Sequence, residues 1–71
     1  MQDIKINFEP VELYKVLKFE GLVASGGEAK LFISEGLVTV NGQVEMRKSK
    51  KMHSGDVIEF GGQVYLLRLA A

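Results

Sequence analysis

The spacing of hydrophobic residues changes period along this chain, and each change marks an element. Ile4, Ile6 and Phe8 alternate with Lys5 and Asn7, the period-two pattern of a short, half-buried strand. From Pro10 the period lengthens. Leu13, Val16 and Leu17 recur at helical spacing, while Glu12, Lys15 and Lys18 fall on other faces. Pro10 suits the first helical position, because it lacks an N–H that would be unpaired there anyway. Phe8, ahead of the cap, is placed to pack on Leu13 as a hydrophobic staple, and Gly21 supplies the stop.

A second helix is predicted from Ser25-Gly26-Gly27-Glu28, which has capping-box spacing. In that arrangement the serine oxygen accepts the Glu28 N–H, and the Glu28 carboxylate reaches back to the Ser25 N–H. Ala29, Phe32 and Ile33 form its apolar stripe, and Gly36 ends it. At Leu37 the period returns to two. Val38 and Val40 face one way, Asn41-Gly42 is the dipeptide that type I′ turns prefer, and Val44 and Met46 resume on the other side. Ser54-Gly55-Asp56 marks a further turn before Val57-Ile58-Glu59-Phe60, and Gly61-Gly62 turns the chain into a last strand around Val64 to Leu69. Helices segregated from strands predict an α+β domain, with two short helices packed on one face of a small antiparallel sheet.

At 71 residues the chain is read as a single domain, 1–71, near the lower end of what folds without help. It has no cysteine, so no disulfide and no thiolate metal site can brace it. A hydrophobic content of 46% argues for a real core rather than a disordered tail. The first ten residues lack a basic stretch followed by an apolar run, so no signal peptide is expected, and no apolar run approaches the ~20 residues of a membrane helix. A cytoplasmic protein with no membrane association is expected.

Nine basic and nine acidic residues cancel overall, but they are segregated. Residues 1–46 carry four lysines against seven acids, net −3, whereas residues 47–71 carry five basic groups against two acids, net +3. The densest part is Arg47, Lys48, Lys50 and Lys51. Polyanion binding depends on the local number of phosphates neutralised, so a neutral total does not exclude it.

Catalytic patterns are nearly absent. His53 is the single histidine, which cannot build a histidine-rich metal site, and nothing nearby orients it as a base for Ser25, Ser34, Ser49 or Ser54. It reads as a turn residue. The glutamates read as solvated faces and caps, not as carboxyls with raised pKa. Gly26-Gly27-Glu28-Ala29-Lys30 lacks the GxxxxGK[ST] spacing and the preceding strand of a phosphate loop, so ATP binding is rejected. No cofactor and no small-molecule substrate are expected.

Two features remain as candidate chemistry. Gly26 and Gly27 in the first turn of a helix cost stability, yet without Cβ atoms they let a phosphate approach the exposed N–H groups at the positive end of the helix dipole. The alternative is that they only negotiate a turn between packed helices. The run Arg47-Lys48-Ser49-Lys50-Lys51 follows a tight hairpin and precedes a strand, so it is predicted to be an ordered loop or edge. Lys15, Lys18 and Lys30 could add to the same face. The aromatic residues suit core packing, with Tyr14 and Tyr65 alone expected to show a polar edge. Serial base stacking on single strands is therefore disfavoured against readout of a folded RNA's shape and phosphates.

Ser25-x-x-Glu28-Ala29-Lys30, then Ile33, Gly36-x-Val38-x-Val40-Asn41-Gly42, a basic stretch, and Gly55-Asp56-x-Ile58 resembles the S-four-type RNA-binding domain, also called the alpha-L motif. The resemblance covers about residues 11–60. It implies binding of structured RNA, ribosomal or transfer RNA, by a monomeric module without catalysis, similar to short free-standing bacterial ribosome-associated members. It implies RNA-facing positions at Ser25, Gly26, Lys30 and the basic segment after Asn41-Gly42. Many members carry arginine where this chain has Gly26 and Glu12, which moves the weight to Lys18, Lys30, Arg47, Lys48, Lys50 and Lys51. The rival reading is a protein-interaction adapter that docks an acidic partner through the same basic segment.

Overall fold

The computed structural model describes residues 1–70. Its elements are β1 (Gln2–Ile6), β2 (Val11–Glu12), α1 (Leu13–Phe19), α2 (Gly26–Ser34), β3 (Thr39–Val40), β4 (Gln43–Val44), β5 (Lys51–Met52), β6 (Val57–Phe60) and β7 (Gln63–Leu69). Five strands form one sheet in the order β1-β7-β6-β3-β4, and β2 pairs with β5 in a separate two-stranded ribbon. The α+β class holds. The sheet is mostly antiparallel, but β1 runs parallel to β7, from Gln2 opposite Tyr65 to Ile6 opposite Leu69. A parallel pair needs a long crossover, and here the entire chain between them, both helices included, supplies it.

The expected periodicities place the core. Leu13, Val16 and Leu17 of α1 are buried, as are Ala29 and Ile33 of α2, and they pack with Val38, Met52, Ile58 and Leu67. Phe32 and Phe60 flank this cluster, with ring centroids 5.5 Å apart. Both helices end as expected. The Leu22 N–H donates to Leu17 O and the Gly21 N–H to Lys18 O, with Gly21 at φ +70°. This paired closure satisfies the last carbonyls and requires a left-handed residue that glycine adopts without strain.

The start of α1 differs from the expectation. Pro10 is not its first residue; the helix begins at Leu13, with Glu12 as N-cap. Val11 and Glu12 are drawn instead into β2, paired with Met52 and Lys51. Strand pairing satisfies the backbone there, and the helix cannot start until the ribbon ends. Nor does Phe8 act as a staple: it is 60% exposed while Leu13 is fully buried. In the hairpin, Asn41 (φ +51°) and Gly42 (φ +84°) make the expected I′-type turn. However, Val44 and Met46 are exposed and add nothing to the core, because β4 lies at the sheet edge with only two paired residues.

Candidate nucleic-acid interface

The segment Arg47–Lys50 has no ladder of its own, so its backbone must find partners elsewhere. It finds them at the start of α1. The Leu13 N–H donates to Lys50 O (2.9 Å) and the Tyr14 N–H to Lys48 O (3.1 Å). The basic loop is thereby bolted to the helix N-terminus, with β5 continuing it into the ribbon. Lys48 and Lys50 are held on an ordered loop and Lys51 at the start of β5, an ordered loop and edge as the spacing predicted.

The two helices bring further cations to this loop. On α1, Tyr14 and Lys18 are four residues apart and so share a face; on α2, Gly26, Lys30 and Ser34 do the same. The stripes meet. The Lys30 ammonium lies 4.6 Å from the centroid of the Tyr14 ring, within cation–π range. A Cβ added to Gly26 would stand 3.8 Å from the Lys18 stem and from the Tyr14 ring. Ser34, at the end of the α2 stripe, borders the basic loop. Lys18, Gly26, Lys30 and the loop therefore form one continuous surface, with Tyr14 at its centre. Among the described residues, none of Lys18, Lys30, Lys48, Lys50 and Lys51 has a carboxylate within 4.0 Å.

Arg47 differs from its neighbours. Its guanidinium is gripped by both Glu45 oxygens, Nε at 3.0 Å and a terminal nitrogen at 3.1 Å, while its own N–H also donates to Glu45. These bonds favour the charged carboxylate and hold the Glu45 pKa down at about 2, from an ordinary 4.5. Arg47 thus reaches the surface already paired. Glu12, in the position where a cation was looked for, is bonded to Lys15 (3.3 Å) and lies by Ser49. Its pKa is lowered chiefly by Lys15, then by Ser49.

At the start of α2, Ser25 Oγ accepts the Glu28 N–H at 3.1 Å, as the capping box requires. The return bond is shifted by one residue: Glu28 Oε1 accepts from Ala24 N–H, not from Ser25. The Gly26 and Gly27 N–H groups have no protein acceptor among the described residues, whereas the first-turn donors of α1 are occupied by the loop. A Cβ on Gly27 would meet nothing closer than Ser25 Oγ, at 3.8 Å. Packing therefore does not demand glycine at either position.

Sequence reasoning missed Tyr14 and Ser34 as parts of this surface. The helical spacing Gly26-Lys30-Ser34 could have signalled Ser34; nothing local could have placed Tyr14 under Lys30. Tyr65, expected to show a polar edge, is buried, and the expected core residues Phe8 and Phe19 are exposed. Both phenylalanines border a groove of about 270 Å³ along β1 and α1, with Ile4, Ile6 and Val16. His53 is an exposed turn residue whose N–H donates to Asp56. Among the described residues no cluster of three or more His, Cys, Asp or Glu could hold a metal, and no helix is long and apolar enough to cross a membrane.

This geometry defines a small α+β domain whose helix pair and tethered loop share one cationic face. The chain belongs to the S4 domain family, which matches residues 4–68. It is 48% identical over 52 residues to YbcJ of Escherichia coli (strain K12), covering 73% of this chain and 74% of YbcJ. It is 41% identical over 59 residues to RlbA of Bacillus subtilis (strain 168), named a probable ribosome maturation protein, covering 83% of each. The solution structure of YbcJ superposes with a TM-score of 0.72 at 39% identity, over 96% of this chain and 87% of that one; it is described as an alpha-L motif involved in RNA-binding. The crystal structure of ribosomal protein S4e of Thermoplasma acidophilum gives a TM-score of 0.70 at 28% identity, over 84% of this chain and 32% of that chain.

Proposed function

We propose that this chain is a non-catalytic, monomeric RNA-binding module of the cytoplasm that holds structured RNA, ribosomal RNA foremost, on the face formed by Lys18, Lys30, the Gly26-Gly27 helix start and the loop carrying Lys48, Lys50 and Lys51. The observation that carries this reading is the convergence on one surface of five lysines that have no carboxylate partner among the described residues, beside helix N–H donors without a protein acceptor among them. Such a surface suits phosphates, which a positively charged face attracts and N–H groups bind. The relatives point the same way: the YbcJ structure is described as involved in RNA-binding, RlbA is named for ribosome maturation, and S4e is a ribosomal protein. Structured rather than single-stranded RNA is favoured, because the ring of Tyr14 is already covered by Lys30 and Phe32 packs on Phe60. That leaves this face without an open stacking platform.

The test is a binding titration against ribosomal RNA fragments over a salt series, with wild type and Lys48→Ala/Lys50→Ala/Lys51→Ala. Loss of about three phosphate contacts reduces the slope of log affinity against log salt by roughly two to three units. Unchanged affinity and slope in the folded triple variant would remove the loop from the interface. A pull-down with and without ribonuclease separates this function from an adapter for an acidic protein, whose capture would survive the nuclease.

A further inference from the structure

The lysine loop is also the wall of an open cleft. Met46, Arg47–Lys51 and Ser34 of α2 line an open concavity of about 620 Å³. A surface that only tracked phosphates would need no concavity and no apolar side chain. This one has both: Met46 is 60% exposed, against the cleft, in the middle of an otherwise charged segment. The polar groups are disposed to suit a nucleobase edge. Ser34 Oγ donates its proton to Leu31 O at 2.8 Å, so its remaining capacity is as an acceptor. Lys48 and Lys50, which line the same concavity, bring donors and positive charge to it.

We propose that this cleft takes one unpaired nucleotide of the bound RNA, with the base against the Met46 thioether and the flanking phosphates on Lys48 and Lys50. The inference rests on the RNA-binding function proposed above and deepens it. The lysines select a polyanion, and the apolar Met46 side chain selects the part of a polyanion that only an unpaired residue exposes. In a continuous helix the bases are stacked and paired, so Met46 would meet only sugar and phosphate. A bulged or looped-out base presents its face, and such unstacked bases are the usual targets of sequence-dependent RNA recognition. Methionine, flexible and polarisable, is suited to contact an aromatic ring of any base. That predicts a preference for an unpaired residue with little preference for its identity.

The experiment compares two RNA hairpins of equal stem length, one fully paired and one with a single adenosine bulge, binding to wild type, Met46→Ala and Lys48→Ala. Wild type should prefer the bulged hairpin. Met46→Ala should weaken that complex about three- to tenfold, as expected for a lost sulfur–aromatic contact, and leave the fully paired one unchanged. Lys48→Ala should weaken both alike, because phosphate contacts are shared. Met46 is solvent-facing, so its truncation leaves the core intact, which circular dichroism checks. Equal binding of both hairpins by wild type, or an equal effect of Met46→Ala on both, would overturn the cleft while leaving RNA binding standing. Failure of wild type to bind either hairpin would overturn both.

Discussion

At the scale of single residues, Glu45 accepts three hydrogen bonds from Arg47, and it carries a pH signature. Its pKa is depressed to about 2 by Arg47, so the pair contributes stability above the ordinary carboxylate range. That contribution is lost as pH falls from about 4.5 towards 2. An NMR titration should place the Glu45 midpoint near 2 in wild type and raise it only part of the way towards the ordinary range in Arg47→Ala, because the backbone N–H of residue 47 still donates to the carboxylate. Because the Arg47 side chain is 73% exposed, the effect on overall stability is small, as for most surface pairs. Thr39 offers the opposite case. Its Oγ1 is buried without a hydrogen-bond partner among the described residues, so its desolvation is uncompensated. Thr39→Val keeps the shape and removes the orphaned hydroxyl, and should stabilise by about 1 kcal/mol. That corresponds to a rise in Tm of about 4–8 °C for a domain of this size, measured by thermal melt.

At the scale of elements, two motifs far apart in sequence prove to be one structural unit. Asn41 Oδ1 accepts the Val57 N–H (2.9 Å) and its Nδ2 donates to Asp56 Oδ1 (3.1 Å), while Asp56 Oδ2 accepts the His53 N–H (2.8 Å). The Asn41-Gly42 turn and the Gly55-Asp56 turn brace each other. Asn41→Ala loses both the left-handed preference and the bond to Val57, and should cost about 2 kcal/mol in denaturant unfolding. Asn41→Gly keeps the backbone freedom and should cost less. The turn itself was legible because Asn-Gly is a local signal; its bracing was not, because it joins residues 15 positions apart. The same distinction explains α1. Its buried face was readable from Leu13, Val16 and Leu17, but its start was decided by β5 and the basic loop, a non-local competitor that Pro10 could not announce. The α2 cap was legible from Ser25 and Glu28, and Ser25→Ala should cost about 1 kcal/mol by the same measurement. Glu28 missed its expected partner by one residue because a flexible carboxylate takes whichever N–H its rotamer reaches.

At the scale of the whole molecule, the fold turns a charge segregation along the sequence into a concentration in space. Residues 47–51 would form a lysine run in any conformation, but only the tertiary structure adds Lys18 and Lys30, by setting the Gly26 backbone within 3.8 Å (Cβ position) of the Lys18 stem and Lys30 over Tyr14. This explains why a chain of zero net charge is compatible with the proposed binding of a polyanion, and it makes Gly26 the position from which that face is most directly tested. Gly26→Glu should fold, since its Cβ meets only ordinary van der Waals contacts and a carboxylate at a helix N-terminus is favoured by the dipole. The new carboxylate stands beside Lys18 and Lys30, where it neutralises one cation and repels an incoming phosphate. RNA affinity measured at low salt should fall, and the salt slope should shrink by about one unit. Combined with the triple lysine variant, the losses should add in free energy if one RNA spans both ends of the surface, because the two sites share no side chain. If Gly26→Glu is folded and binds as wild type does, the helix start is only a turn between packed helices, and the loop acts alone.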